Sequence, residues 1–579
     1  MKSLWFILLI AVSAQAVVIP VERRTYWTNA GMAKVGGIPN VTTIYTNIPA
    51  GCSLTYLNTA LANCPSNQVV LLSAGNYNFS NQVNFGRSQG KVLRGAGTGS
   101  TYIKMWTNAS QASIEVGEQT IDRVAPPVGQ VKNWTNGYSQ GTNTIYLDSV
   151  TGLSVGHLLA LDQADDRVWV DSRVQEGCTY CGRTNGLRSQ VQYVTITSIA
   201  GNTVGIDPGL HMMNWSSSQA PQAFYWTEAD TEMCGIESLS ITNGLDSGTY
   251  AIEFSQAKNC WVKDVKMYET PQAAISSSQA QHLEFRQVFM LSNQSGGGNL
   301  SYGIIFYMCS DSLMIDCVCD NVTAGMVFAP QAEGCVVAYN YFTNAVYSPS
   351  NWDIASLSSH DGHVCMNLVE GNWANKIYID SIHGSESHIT LARNYFHGHQ
   401  TNRVNNTMAF EAEQFCLSNN LVGNIFGTTG FHDLYEITNA AVWVSHAPEA
   451  TIFVLGAANS ANATNDSSVT RTGSIYDYRV AASTIRHGNY DTKTAGIIYD
   501  SGIADHVIPD SYIYSTKPTN FAALNWPPYD AGSPSNNSPT NIPAGHFYLL
   551  GYWPTNAASG GGSASIRGKR PGSRRMVER

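Results

Sequence analysis

Apolar positions recur in a fixed phrase between residues 234 and 420. Each phrase has apolar residues at its first and third places and an apolar residue or asparagine at its sixth, and most phrases have an apolar residue at the eighth. The third places are Ile236, Val262, Phe285, Ile315, Val337, Met366, Leu391 and Leu417. The sixth places are Leu239, Val265, Val288, Val318, Asn340, Val369, Asn394 and Asn420. Because side chains alternate between the two faces of a strand, each phrase predicts a short strand with one buried face.

The repeat length predicts how these strands assemble. A unit of roughly twenty-five residues is too short for a strand and a helix, but it holds three short strands and three bends. Such coils stack at the parallel-sheet spacing of about 4.8 Å, and each buries its apolar face against its neighbours. The pattern therefore predicts an all-β, right-handed parallel β-helix, a solenoid in which Asn394 and Asn420 form a ladder of amide hydrogen bonds. A leucine-rich repeat is the main alternative, but its Leu-dominated consensus is absent.

The first residues resemble an export signal. Lys2 precedes an apolar run at residues 4–12, and Ala14 and Ala16 give the small-x-small pattern of a cleavage site. The run is too short to span a bilayer, so we expect a cleaved signal peptide and no membrane association afterwards. The mature protein is expected to be secreted.

The rest of the chain divides into segments of different character. Short alternating stretches with Gly, Asp and Asn turns between residues 144 and 207 predict an inserted small antiparallel β-domain. No coil phrase is recognised after residue 455. The predicted organisation is a signal peptide (1–16), an N-terminal cap with the opening coils (17–124), the inserted β-domain (125–213), the β-helix coils (214–455), a C-terminal extension packing on or capping the helix (456–560) and a basic disordered tail (561–579).

Composition supports a strand-rich exported protein. Only 13% of the 579 residues are charged, and the chain contains 51 Gly and 29 Tyr. This composition disfavours long helices. The net charge of −10 argues against nucleic acid as a partner, but it does not repel neutral or cationic polymers. We expect a monomer that binds an extracellular polysaccharide.

The 12 cysteines fall into several groups. In an exported chain, the pairs Cys52–Cys64 and Cys178–Cys181 predict disulfides rather than a metal or redox site. In the repeat region, Cys234, Cys260 and Cys335 occupy an inward column and are expected to act as small hydrophobic residues. The predicted register turns Cys317, Cys319, Cys365 and Cys416 outward.

Two stretches carry a resemblance to a known family. The phrase Val92-Leu93-Arg94-Gly95-Ala96-Gly97 resembles the start of secreted β-helix proteins of the pectate-lyase-like superfamily. The block from His360-Asp361-Gly362-His363 to Arg393-Asn394 is similar to one in uncharacterised bacterial secreted members of that superfamily. The resemblance implies a right-handed parallel β-helix and carries no assigned reaction.

Candidate chemistry lies on outward positions, where a β-helix presents side chains in rigid rows. One row is Lys263, Asp264, Glu284, Arg286 and Asp316, which we expect to be mutually paired. The other is a dense histidine block: His360, His363, His383, His388, His397 and His399. Carboxylates and arginines are interleaved with these imidazoles, which favours a functional groove.

The histidine block predicts roles for individual residues. The expected catalytic residues are His383 as base or acid, with Glu370 and Asp380 as carboxylate partners. The expected substrate-binding residues are His363, Arg393, His360 and Asn367. A polysaccharide lyase needs a base and a cation, with calcium as a candidate cofactor, whereas a glycoside hydrolase needs two carboxyl groups of different pKa. A non-catalytic polysaccharide-binding or adhesin-like rod is the alternative, and the sequence leaves the metal at this site open.

Overall fold

The computed structural model describes residues 18–106, 112–120, 122, 124–243, 249–292, 302–437, 450–457 and 476–554. The predicted signal peptide at 1–16 and basic tail at 561–579 lie outside these residues, as does part of the predicted C-terminal extension. No helix in the described ranges has the length and apolar character needed to cross a bilayer.

Parallel strand pairing between successive coils dominates the structure and confirms the predicted parallel β-helix. The first sheet is built from two strand segments per coil, separated by a bend. Long strands cross the bend in three coils: Gly235–Asn243, Trp261–Tyr268 and Glu284–Met290. Before the bend lie Ile44–Ile48, Gln68–Leu72, Lys91–Arg94, Leu313–Ile315, Val336–Ala338, Leu368–Glu370, Thr390–Ala392, Asn420–Val422 and Ile485–His487. After it lie Gly75–Phe79, Thr101–Met105, Val318–Asp320, Tyr341–Thr343, Trp373–Ala374, Tyr395–Phe396, Ile425–Phe426, Asn489–Asp491 and the antiparallel Gly496–Ile498.

Two further parallel sheets complete each coil. The second sheet contains Val83–Asn84, Ile114–Gly117, Tyr250–Ser255, Ala273–Ser278, Tyr302–Phe306, Ala324–Phe328, Leu357–Ser359, Ile377–Ile379, Phe410–Glu413, Leu434–Ile437 and Thr451–Ala457. The short third sheet contains Thr231–Glu232, Ala257–Lys258, Ala280–Gln281 and Cys309–Ser310. Single bridges extend it through Glu333, Cys365, Ser387 and Leu417.

The inserted domain is a closed antiparallel barrel that rests on the third sheet. Its strands are Val131–Asn136, Thr144–Leu147, Leu158–Gln163, Gln190–Ala200, Thr203–Asp207 and Gln222–Phe224. The last strand lies beyond residue 213 and pairs with both Leu158–Gln163 and Val131–Asn136. Hydrogen bonds from the Tyr193 amide to Ser310 and from the Thr195 hydroxyl to Gln281 join the barrel to the coils.

Helices are short and lie outside the sheets. The α-helices are Leu54–Asn63, Tyr478–Ser483 and Pro543–Leu550. The 3-10 helices are Val21–Arg23, Trp27–Asn29, Gly31–Val35, Val128–Gln130, Ser217–Gln219, Thr519–Phe521, Pro534–Asn536 and Pro539–Asn541.

The inward column differs from the predicted one in some coils. Strand register gives Ile236, Val262, Phe285, Met314, Val337, Val369, Leu391 and Leu421. Ile315 faces the opposite way, and Met366 packs with the barrel rather than in the main core. The predicted inward positions are wrong in these coils because the coils differ in length. The bend in each coil is formed by a residue of positive φ, such as Asp316 at 55°, and a strictly repeated pattern does not follow its position.

An asparagine ladder runs along the bend and contains Asn394, one of its two predicted members. Asn372 Oδ1 accepts hydrogen bonds from the amide and Nδ2 of Asn340, and Asn394 Oδ1 accepts the same pair from Asn372. Asn424 and Asn489 continue the series. Asn420 is outside the ladder, since its Nδ2 donates to Thr390 and Arg23.

The ladder shows that the coils extend further than the sequence predicts. Ile485–His487 pairs in parallel with Asn420–Val422, and Asn489–Asp491 pairs with Ile425–Phe426. Residues 485–491 therefore form a last coil, where we expected no coil phrase. A search for a repeat of roughly twenty-five residues misses this coil, because a much longer segment separates it from the preceding one.

One predicted disulfide is confirmed and the other is wrong. Cys178 and Cys181 are bonded, with a Cα–Cα distance of 5.4 Å. Cys52 and Cys64 are free, because the helix Leu54–Asn63 separates them. At 1.5 Å per residue, that helix holds them about 15 Å apart, far beyond the reach of a disulfide.

The predicted outward placement of Cys317, Cys319 and Cys416 is also wrong. All three thiols belong to the main hydrophobic core. Cys317 follows the bend residue Asp316 and occupies the inward position that Asn340 fills in the next coil, whose Oδ1 accepts from the Cys317 amide. The thiol therefore serves as a small core side chain.

The C-terminal extension covers the outer face of the first sheet. Phe521, Tyr529, Ile542 and Phe547 pack against outward residues of this sheet, including Ile315. The face that would otherwise present a row of side chains to solvent is buried by this contact. The barrel therefore covers the outer face of the third sheet, and the C-terminal extension covers the outer face of the first.

Candidate functional site

The candidate site lies where strands of the second sheet end. Ser359, Ile379 and Ala412 are register partners that point inward. The residues that follow them, His360, Asp380 and Glu413, therefore point outward from neighbouring coils. This outward row, together with Asp361, His383 and Tyr180, is called the His360 site below.

His360 is the charged centre of the site. Its Nδ1 lies 2.6 Å from Asp380 Oδ2, and its Nε2 lies 3.7 Å from Asp361 Oδ1. Burial alone would lower the pKa of His360, but the Asp380 and Asp361 carboxylates outweigh burial and raise it to about 10. The ring is therefore an imidazolium at neutral pH, bridging two carboxylates.

The open rim consists of rings rather than carboxyl groups. The side chains of His360 and His383 are each 26% exposed, and their ring centroids are 5.1 Å apart. Tyr180 is 38% exposed and donates its hydroxyl hydrogen bond to Asp361. Asp361 and Asp380 are buried beneath these rings. A ligand would therefore reach the carboxyl groups between an imidazole and a phenol.

The barrel supplies one wall of the site through its disulfide loop. Gln175 Nε2 donates to Ser381 and Glu413, and His383 Nδ1 lies 3.2 Å from the Gly177 carbonyl oxygen. Sequence reasoning missed Tyr180, which lies between the bonded cysteines. The C-x-x-C motif was its only local signal, since it showed that this loop is held rigid.

The site has a surplus of carboxyl groups. Glu413 accepts hydrogen bonds from Tyr378 and from the Ser381 amide. Burial raises the pKa of Asp361, and it raises that of the buried Glu386 well above the usual range. Because several carboxyl groups surround one imidazolium, the site favours neutral or cationic ligands over polyanions.

Glu370 and Arg393 do not line an open groove. Glu370 is fully buried and accepts hydrogen bonds from Tyr339, Ser511 and the Tyr512 amide. Arg393 donates to the carbonyl oxygens of residues 508 and 509 and lies 3.2 Å from Asp530. Both point outward from the first sheet, but the C-terminal extension covers them.

Asn367 and His363 are also buried away from the site. Asn367 Oδ1 accepts from the Cys335 amide and its Nδ2 donates to the Ala332 carbonyl, which is a structural role within the coils. His363 is buried, and burial lowers its pKa to about 3. Of the predicted residues, the structure thus brings together His360, Asp380 and His383.

Within the earlier charged row, Arg286, Glu284 and Asp316 are mutually paired, as expected, whereas Asp264 accepts a hydrogen bond from Ser238. Arg286 lies 2.7 Å from Glu284 and 3.5 Å from Asp316, and Asn520 of the extension donates to the same Asp316 carboxyl group. The charges of Arg286, Glu284 and Asp316 therefore compensate one another, and the extension contacts them.

The donor set of the His360 site does not fit calcium. One ligand atom each of His360, Asp361 and His383 lies within 4.8 Å of the others. Calcium takes oxygen ligands, whereas two of these three groups are imidazoles and one of them is paired with carboxylates.

This chain resembles known proteins in its three-dimensional structure but not in its sequence. No family model matches the sequence, and no curated protein matches it. The chain is similar to the tailspike of Acinetobacter baumannii bacteriophage AP22, solved with a capsular saccharide, with 10% identity and a TM-score of 0.47. That match covers 67% of this chain and 57% of the tailspike, so the chain spans little more than half of that protein's length.

Two further solved structures are comparably distant. The tailspike of Pseudomonas phage phi297 is 11% identical, with a TM-score of 0.44 over 75% of this chain and 73% of its own. An alginate lyase from Paenibacillus is 12% identical, with a TM-score of 0.31 over 72% of this chain and 94% of its own. The β-helix architecture of the present chain is established by its own strand pairings.

Proposed function

We propose that this protein is a secreted monomeric glycoside hydrolase that cleaves a neutral extracellular polysaccharide at the His360 site. The observation that carries the proposal is the arrangement of Asp361 and Asp380 on either side of the His360 imidazolium, below a rim open to solvent. Glycoside hydrolysis uses two carboxyl groups held in different environments.

The two carboxyl groups have different surroundings that match the two roles. Asp361, whose pKa is raised by burial, would take up a proton when the substrate binds and donate it to the leaving oxygen. Asp380 is ion-paired with His360 Nδ1 at 2.6 Å, which stabilises its carboxylate as the base or nucleophile. His383 and Tyr180 lie at the rim, where they would orient the sugar.

An aromatic surface next to the site is suited to a sugar chain. Tyr250, Tyr302 and Tyr307 lie partly buried around an apolar patch on the outer face of the second sheet, in the coils that precede His360. Burial and the charges of Asp380 and Asp361 raise the pKa of Tyr302. Sugar rings stack on such faces, and the patch would hold a polymer along the coil axis.

Charge separates this proposal from a lyase. A lyase acts on uronate polymers and needs cationic groups to stabilise the carboxylate of the substrate. Here the only imidazolium described at the site is already shared by two carboxylates. The acidic surroundings and the net charge of −10 both disfavour a polyanionic substrate.

The test is cleavage of neutral and uronate-rich polysaccharides by the purified full-length chain. We expect new reducing ends from a neutral polymer without absorbance from a new C=C bond. Asp361→Asn and Asp380→Asn should each lower kcat by about 10²- to 10⁴-fold. The exposed Asp433→Asn is the matched control and should leave kcat unchanged.

Each other outcome has a definite meaning. An unsaturated product from a uronate polymer would replace hydrolysis with elimination. Binding without cleavage of any polymer would leave a polysaccharide-binding rod. Full activity in both aspartate variants, with unchanged melting temperatures, would show that the His360 site is not the catalytic site.

A further inference from the structure

A second group of chemically reactive side chains lies between the third sheet and the barrel. Glu333 and Cys365 occupy neighbouring coils joined by a single parallel bridge, and both are fully buried. His363 is 1% exposed, and its Nε2 lies 3.4 Å from Cys365 Sγ. Cys365 packs among barrel residues, so the group is sealed by the inserted domain.

The spacing of the potential ligand atoms matches a metal site. One ligand atom each of Glu333, His363 and Cys365 lies within 4.8 Å of the other two. Tetrahedral zinc has Zn–S and Zn–N distances of about 2.3 and 2.0 Å, which separates a sulfur and a nitrogen ligand by roughly 3.5 Å. The observed 3.4 Å between Cys365 and His363 fits this geometry.

Polar atoms in this group lack hydrogen-bond partners. Neither carboxyl oxygen of Glu333 has a hydrogen bond, although both are buried and the nearest ring nitrogen of His211 lies 3.6 Å away. An orphaned buried carboxyl group costs free energy, so its presence needs an explanation. These unpartnered atoms are an observation independent of the ligand spacing, and they too point to a bound cation.

We propose that Glu333, His363 and Cys365 bind one zinc ion that joins the β-helix to the inserted barrel. A thiolate and a carboxylate balance the charge of Zn²⁺, which allows the ion to be buried without a net charge. Sulfur and nitrogen ligands select zinc over calcium or magnesium.

His211 is a positioning residue rather than a ligand in this proposal. It belongs to the barrel, and its Nδ1 lies 3.6 Å from Glu333 Oε1 while its Nε2 lies 3.2 Å from Asp311 Oδ1. A chain from Asp311 through His211 would orient the Glu333 carboxylate toward the metal. The metal would then couple the barrel to two adjacent coils.

The test is the metal content of the full-length chain produced in zinc- or cobalt-supplemented medium. We expect about one metal ion per chain, and a thiolate-to-cobalt charge-transfer band in the cobalt form. Cys365→Ser and His363→Gln should lose the band and reduce the metal content to near zero. Cys52→Ser removes a free, half-buried thiol elsewhere and should change neither. His211→Gln should raise the zinc Kd by about 10- to 100-fold while the band remains.

The wild-type cobalt spectrum decides the proposal even if a variant fails to fold. Folded wild-type protein with no metal, or with a cobalt spectrum lacking the thiolate band, would overturn it. None of these measurements depends on cleavage of a polysaccharide. Loss of the zinc proposal and loss of the proposed hydrolase activity are therefore separate results.

Discussion

At the scale of single residues, His360 shows how neighbours control chemistry in this site. Exposed imidazoles are mixtures of charged and neutral forms near neutral pH. Here the carboxylates of Asp380 and Asp361 keep the His360 ring charged despite burial. The charge neutralises part of the carboxyl surplus, so His360 contributes both to stability and to the state of the two aspartates.

The raised pKa of His360 predicts a pH-dependent stability. Its folded pKa of about 10 exceeds the unfolded value of 6.5, so the ion pairs contribute fully below pH 6.5 and are lost as pH rises toward 10. His360→Gln should therefore destabilise the protein most near pH 6.5 and progressively less toward pH 10. Urea unfolding of both proteins across this range measures the difference. A destabilisation that does not change with pH would contradict the charged state assigned to His360.

At the scale of structural elements, the asparagine ladder adds side-chain hydrogen bonds to the backbone pairing between successive coils. Asn372 Nδ2 donates to Asn394 Oδ1 and to the Val337 carbonyl, while its Oδ1 accepts from Asn340. Each amide thus satisfies backbone groups at the bend that would otherwise be buried without partners. The ladder therefore sets the register between neighbouring coils and contributes to their stability.

Removing one member of the ladder should be costly. Asn372→Ala leaves the buried Asn340 amide and the Val337 carbonyl without this partner, which we expect to lower the free energy of unfolding by about 2–5 kcal/mol. Urea denaturation of the wild type and the variant measures this loss of stability. The exposed Asn78, in the strand Gly75–Phe79, provides the control, and Asn78→Ala should change stability by less than about 0.5 kcal/mol. Equal losses of stability in the two variants would show that the ladder makes no special contribution to the free energy of unfolding.

At the scale of the whole molecule, two added segments determine which faces of the β-helix remain open. The C-terminal extension covers the first sheet and the barrel covers the third. The barrel also reaches the second sheet through the loop that holds Tyr180 and the bonded pair Cys178–Cys181. The candidate site is thus shared between the coils and the inserted domain.

This shared construction predicts a specific effect of the disulfide. Replacing Cys178 and Cys181 together by Ser should reduce activity at the His360 site, because the loop that places Tyr180 loses its constraint. Stability should fall by about 2 kcal/mol or less, since the bond closes a very short loop. Activity and melting temperature are measured together, with Cys52→Ser as the control for thiol removal. Unchanged activity in the double variant, on a substrate that the wild type cleaves, would show that the loop does not position Tyr180.

The sequence alone determined the architecture because its signal is local and repeated. Alternation within each phrase specifies a half-buried strand, and repetition at a near-constant interval specifies parallel stacking. The same regularity marked His360, Asp380 and His383 as members of one histidine-rich segment. Where coil length varies, the periodic pattern selected Ile315 instead of Met314 and Leu417 instead of Leu421.

Only the tertiary structure decided which outward residues are accessible and which are brought together. The Tyr180–Asp361 hydrogen bond joins residues 181 positions apart, and the Tyr512 amide reaches Glu370 across 142 positions. No local pattern encodes such contacts, because they depend on how the barrel and the C-terminal extension dock on the coils. Glu370 and Arg393 have the outward register of site residues and are nevertheless buried. The docking of distant segments therefore separates the His360 site from the covered faces.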